Sequence, residues 1–90
     1  MSAEVSALAQ AVSRAYAVRA NVTTFYAQSV GQPINLGREL SLLIEWEDAC
    51  LAGIWAAREE GRPTDMRMLA QQLAECRVYL EINASEEKTR

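Results

Sequence analysis

Apolar residues recur at intervals of three and four along three stretches of the chain, which is the spacing of one face of an α-helix. No stretch shows the strict alternation of apolar and polar residues that is typical of a β-strand. Counted at about 100° per residue, the predicted helix faces are Val5, Leu8, Val12, Tyr16, Val22 and Tyr26, then Leu40, Leu43, Ile44, Leu51, Ile54 and Trp55, then Met66, Leu69, Leu73, Cys76 and Leu80. The pattern predicts an all-α fold.

Two glycine–proline breaks divide the chain into these stretches. Gly31 and Pro33 form the first break, and Gly61 and Pro63 form the second. Glycine is favoured just after the end of a helix, and proline prevents simple continuation. The breaks predict three helices, at about residues 3–29, 36–60 and 64–82.

Capping residues support these boundaries. Ser2 and Asn35 are expected to cap the first two helices, and Thr64 or Asp65 the third, because short polar side chains satisfy the free N–H groups of a first turn. Residues 84–90 are polar and charged, and they predict a flexible tail after a single helical domain of residues 1–83.

Short loops between consecutive helices favour antiparallel neighbours. The predicted architecture is therefore an antiparallel three-helix bundle, or a helical hairpin with a third helix packed on it. A second copy of the chain that completes the core as a homodimer is a further possibility, because a chain of 90 residues buries only a modest core.

Arg19 and Glu47 each fall inside an otherwise apolar helix face. If Val30 and Leu36 are level across the first turn, the two charges lie opposite one another. A lone buried charge is costly, so the sequence predicts a structural ion pair between Arg19 and Glu47 that fixes the helix register. The alternatives are a charged groove that receives a partner's side chain, or an error in a helix boundary that leaves one residue exposed.

The two cysteines also fall on core-facing positions. Cys50 and Cys76 become level if the second turn is short, and we expect both to be small buried hydrophobic residues. A redox-switched disulfide is the alternative. The chain has no histidine, and two isolated cysteines do not make a zinc site, so no metal is expected.

The charge of the chain argues against several partners. Its net charge is −3, and no run of lysine or arginine occurs, so tight binding to nucleic acid or to an anionic membrane is not favoured. No segment resembles a signal peptide or is apolar enough to span a bilayer, and we expect a cytoplasmic protein.

The sequence contains no pattern that predicts catalysis. Glu45, Asp48 and Glu59 map to the solvent face of the second helix, and no phosphate-binding loop, dinucleotide turn or nucleophile elbow is found. We therefore expect no enzyme activity, no cofactor and no small-molecule substrate.

One segment resembles a known motif. Residues 63–74 contain Leu69-Ala70-Gln71-Gln72-Leu73, which resembles the first helix of a helix-turn-helix. The chain departs from that motif at Ala74, where the turn usually has glycine, and no basic recognition helix follows. The resemblance implies an alternative function as a small DNA-associated regulator.

Apolar residues outside the predicted core faces favour a different function. Helix two is apolar over about half its circumference, more than the stripe of roughly 100° that a packed helix requires. Such a surplus is typical of an interface. We expect a protein-binding module, such as an adaptor, an inhibitor or a small assembly factor, whose partner is another protein or a second copy. The expected contact residues are Trp55, Met68, Tyr79 and Ile82.

Overall fold

A computed structural model describes residues 6–88, and these residues form three α-helices joined by two short turns. The helices are α1 (Ala7–Gln28), α2 (Leu36–Glu59) and α3 (Pro63–Lys88). The middle helix, α2, packs along both of the others, whereas α1 and α3 contact each other much less. The molecule measures 52 × 23 × 16 Å. This arrangement confirms the predicted all-α, three-helix fold.

The helix starts follow local capping chemistry. The Ser6 hydroxyl accepts a hydrogen bond of 3.0 Å from the backbone N–H of Ala9, and the Asn35 side chain accepts one of 3.0 Å from Arg38. The predicted cap at Asn35 is therefore confirmed. The predicted cap at Ser2 lies outside the described residues.

The third helix is longer at both ends than predicted. It begins at Pro63 rather than at residue 64 or 65, because proline needs no N–H partner in a first turn and its φ is already helical. It also continues past Ile82 to Lys88. Residues 84–88 are thus helical, and the expectation of a flexible tail from residue 84 is wrong for them.

The faces of α1 and α2 are rotated relative to the predicted ones. In α1 the small side chain of Ala15 is fully buried, whereas Tyr16 is 45% exposed. In α2 the buried face is centred on Trp46, and Ile44 and Trp55 point to solvent. The buried residues of α2 are Leu36, Glu39, Leu42, Leu43, Trp46, Ala49, Cys50, Gly53 and Ala57. Small residues dominate the second half of this face, and a Cβ at Gly53 would lie only 2.6 Å from the Leu69 side chain of α3.

The rotation separates the two charges that were predicted to pair. Arg19 forms an ion pair of 3.6 Å with Glu75, and Glu47 forms one of 3.3 Å with Arg77. Both partners lie on α3, and the side chains of Arg19 and Glu75 are nearly half exposed. The prediction of a buried Arg19–Glu47 pair is therefore wrong, because neither residue points into the interface between α1 and α2.

A buried polar cluster joins the three helices instead. The Tyr26 hydroxyl of α1 donates a hydrogen bond of 2.5 Å to Glu39 of α2, and the side-chain amide of Asn83 in α3 donates one of 2.7 Å to the other Glu39 oxygen. The same amide donates to the Leu36 carbonyl at 3.0 Å. Burial, followed by the bond to Glu39 and its charge, raises the pKa of Tyr26 above its ordinary value. This cluster fixes how the three helices are aligned along their lengths, a role that the sequence analysis assigned to Arg19 and Glu47.

A second buried hydrogen bond lies near the middle of the bundle. The indole N–H of Trp46 donates to the Gln72 side-chain oxygen at 3.1 Å. Because the indole can only donate, it requires the oxygen of Gln72, and the nitrogen of that amide is left without a protein partner. The bond ties the largest buried side chain of α2 to α3.

Candidate protein-binding surface

One side of α2 is covered by the other two helices, and the opposite side faces solvent. Five residues at intervals of four and three share this outer side, and we call them the α2 outer stripe: Ile44, Asp48, Leu51, Trp55 and Arg58. Such spacing aligns side chains along one line of a helix. The stripe therefore presents an apolar row with a charged residue near each end.

Trp55 is the most prominent residue of the stripe. It follows Trp46 by nine residues, which at about 100° per residue places the two indoles on opposite sides of the helix. Trp46 is 1% exposed, and Trp55 is 61% exposed. The guanidinium carbon of Arg58 lies 5.5 Å from the centre of the Trp55 ring, a distance at which a cation–π attraction operates.

The aliphatic residues of the stripe extend this surface along the helix. Ile44 is 45% exposed, and Leu51 is partly buried against the edge of the core. The ion pair between Glu47 and Arg77 lies between the stripe and α3. The apolar row is therefore bordered by charge on that side.

The four predicted contact residues have different surroundings. Trp55 and Ile82 are exposed, as a contact residue must be. Met68 is partly buried, and its sulfur accepts a hydrogen bond of 2.9 Å from the Tyr16 hydroxyl. Tyr79 is also partly buried, and its ring centre lies 5.2 Å from that of Tyr26. Met68 and Tyr79 thus hold α3 against α1.

Ile44 and Val78 are exposed on the outer sides of α2 and α3 but were not among the predicted contacts. The sequence predicted Ile44 as part of the apolar face of the second helix, together with Leu40 and Leu43. Val78 is 55% exposed and lies one turn before Ile82 on the outer side of α3. The run of small residues after Trp46 was the available signal that the core lies on the other side of α2.

The two thiols have the environment of core residues. Both are fully buried and free, and Cys76 donates a hydrogen bond of 3.2 Å to the Leu43 carbonyl. Burial, with a contribution from Glu47, raises the pKa of Cys50 to about 11. Burial, together with Cys50 and Glu47, raises that of Cys76 to about 12. At neutral pH both are protonated and are poor nucleophiles.

An open depression lies where the start of α1 meets the turn between α2 and α3. Its volume is about 470 Å³, and its lining includes Leu8, Val12 and Arg62. Arg62 is already paired with Asp65 at 3.6 Å.

No group of three or more metal-ligating side chains occurs within residues 6–88. The described helices also include none with the length and apolar content needed to cross a bilayer.

The segment that resembles a helix-turn-helix does not form that motif. Residues 63–74 belong to α3, which runs without interruption from Pro63 to Lys88. A helix-turn-helix requires a turn after its first helix, and α3 has none at Ala74. Residues 63–74 are therefore part of one continuous helix and not the first helix of a helix-turn-helix.

No protein-family model, curated protein or solved structure matches the chain.

Proposed function

We propose that this chain is a non-enzymatic protein-binding module that acts through the α2 outer stripe. The observation that carries the proposal is the exposure of Trp55, at 61%, on the same helix face as Ile44 at 45%. Tryptophan is highly buried on average in folded proteins. An exposed tryptophan that shares a helix face with an exposed isoleucine presents apolar area that gains free energy when another molecule covers it.

The composition of the stripe also supports this role. Tryptophan and arginine are enriched at the residues that dominate binding energy in interfaces. Arg58 stands over the Trp55 ring at 5.5 Å, so a partner would meet an aromatic surface with a positive charge at its edge. Asp48 supplies the opposite charge on the other side of Leu51. The module would act as an adaptor, an inhibitor or a small assembly factor.

The exposed pair on α3 provides a second, smaller contact. Val78 and Ile82 are one turn apart and 55% and 46% exposed. They lie on a different helix from the stripe, so a partner that reaches both must span the α2–α3 surface. We place Trp55 at the centre of the interface and Ile82 at its edge.

Affinity capture with matched variants tests the proposal. The wild type, Trp55→Glu and Val30→Glu are immobilised, and bound proteins are quantified by mass spectrometry from a cell extract to which free wild-type chain has also been added. Val30 is 81% exposed in the first turn, so its replacement controls for loss of an exposed apolar residue elsewhere. The proposal expects a protein, or the free chain itself, to be retained by wild type and by Val30→Glu and lost from Trp55→Glu. Equal retention of every bound protein by all three baits would contradict it.

A further inference from the structure

Four of the five residues of the α2 outer stripe are self-complementary when the helix is reversed, whereas the counterpart of Ile44 would be Arg62 in the turn, so Ile44 lies outside the paired stretch. Asp48 and Arg58 flank Leu51 and Trp55, and the midpoint of positions 48 and 58 is also the midpoint of positions 51 and 55. A second helix of the same sequence that runs in the opposite direction, with its midpoint at the same level, therefore places acid opposite base and apolar opposite apolar.

We propose that a second copy of this chain binds the stripe, with the two α2 helices antiparallel around a two-fold axis level with Gly53. The inference rests on the proposed function, because it names the partner of the same surface. Leu51 of each copy packs against Trp55 of the other, and Asp48 of each copy lies beside Arg58 of the other. The contact is isologous and closes as a dimer.

Charge decides the direction of the two helices. A parallel pair would place Asp48 against Asp48 and Arg58 against Arg58, and like charges that face each other destabilise a contact. The antiparallel pair replaces both repulsions with attractions. The Arg58 guanidinium already lies over the stripe, 5.5 Å from the Trp55 ring centre, so little side-chain freedom is lost when the second copy binds.

The size of the stripe predicts a weak dimer. The paired stretch from Asp48 to Arg58 spans about 15 Å of helix at about 1.5 Å per residue, and a helix is about 10 Å wide. A single helix pair of this length falls at the low end of specific interface sizes, which is typical of transient association. We expect half-association at a concentration on the order of 10–100 μM.

Charge reversal tests both the partner and the register. Sedimentation velocity is measured from about 5 to about 500 μM, a range that brackets the expected affinity. Asp48→Arg and Arg58→Asp should each lower the association constant by at least about tenfold, since each places like charges together at two symmetric positions. The double variant that exchanges the two charges should recover most of the wild-type association. Glu45→Arg makes the same change of charge as Asp48→Arg on an exposed part of α2 outside the stripe, and it should associate as the wild type does.

Several outcomes would overturn the inference. These are a wild type that remains monomeric over the whole range, single variants that associate normally, and a double variant that is no better than the singles. Circular dichroism confirms that each variant is folded. A monomeric wild type whose Trp55→Glu variant still loses a different captured protein would reject the dimer and leave the proposed function intact. A dimer that persists in Trp55→Glu would reject the stripe as its interface.

Discussion

Replacing Asn83 with alanine should destabilise the fold more than any other single change at the end of α3. Asn83 is 1% exposed, and its amide donates to the Glu39 carboxylate at 2.7 Å and to the Leu36 carbonyl at 3.0 Å. Alanine removes the amide that donates both hydrogen bonds. One carboxylate oxygen of Glu39, a residue that is only 5% exposed, then loses its Asn83 partner. The change therefore removes the hydrogen bonds that join the end of α3 to the start of α2.

The magnitude follows from the two lost hydrogen bonds. A bond to a charged group contributes about 1.5–3 kcal/mol to stability, and a neutral one contributes about 1 kcal/mol. We expect Asn83→Ala to lower the free energy of unfolding by about 2.5–4 kcal/mol, a large part of the roughly 5–15 kcal/mol available to a small domain. At about 4–8 °C per kcal/mol for a domain of this size, the Tm should fall by at least about 10 °C.

Urea unfolding followed by circular dichroism measures this loss. Tyr26→Phe removes the other donor to Glu39, and it should cost about 1.5–3 kcal/mol because this bond too goes to a charged group. The two changes together should depart from additivity, because both groups bond to one carboxylate. Glu81→Ala, an exposed change on the same turn of α3, serves as the control and should stay within about 0.5 kcal/mol of the wild type. An Asn83→Ala variant no less stable than this control would refute the role of the cluster.

Three further changes test other parts of the structure by urea unfolding. Gly53→Ala should be destabilising despite a gain in helix propensity of about 1 kcal/mol, because a Cβ there would lie 2.6 Å from the fully buried side chain of Leu69; Leu69→Ala should make the same change stabilising. Because folding raises the pKa of Cys50 and Cys76 from 9.0 to about 11 and about 12, stability should be independent of these thiols below pH 9 and fall above it. The slope approaches about 1.4 kcal/mol per pH unit per thiol, and Cys50→Ala with Cys76→Ala should flatten it between pH 9 and 10. Arg19→Ala should lower the free energy of unfolding by less than about 1 kcal/mol, since its ion pair is exposed. A loss of about 3 kcal/mol or more would instead indicate that Arg19 belongs to a buried ion pair.

Local signals in the sequence were sufficient to predict the helices. Gly31 and Gly61 both adopt positive φ, at 79° and 66°, where glycine has no steric penalty. Asn35 caps α2 through its side chain. These interactions join residues only a few positions apart, so the sequence itself contains both partners within one short window.

The rotation of each helix could not be predicted in the same way. Large aliphatic residues dominated the predicted faces, whereas the structure buries Ala15, Ala49 and Gly53 at the contacts between helices. Small residues permit the close approach of two helices, but a face chosen by its large aliphatic residues gives these positions no weight. Arg19 fell within the predicted face, yet a long charged side chain can extend sideways from the edge of a core to solvent and to Glu75.

The polar cluster gave no signal in the linear sequence. Tyr26 and Glu39 are on different helices, and Asn83 is a further 44 residues from Glu39. An isolated asparagine near the end of a helix is more typical of a helix boundary than of a core. The third helix was predicted to end near residue 82 because residues 84–90 are polar and charged, although it continues to Lys88. Without the cluster in view, the register was attributed to Arg19 and Glu47.

The sequence predicted only part of the candidate surface. The buried hydrogen bonds of α2 explain why Trp55 is exposed. Glu39 and Trp46 are seven residues apart and both point inward, where each is held by hydrogen bonds to α3. Trp55 follows Trp46 by nine residues and must then point outward. Rotating α2 to bury Trp55 would gain at most about 3 kcal/mol. The same rotation would expose Trp46 and lose a similar free energy. It would also break the hydrogen bonds from Trp46 to Gln72 and from Asn83 to Glu39. Within residues 6–88, rotating α2 to cover Trp55 therefore brings no net gain. In the proposed dimer, the second copy would cover Trp55 without this loss.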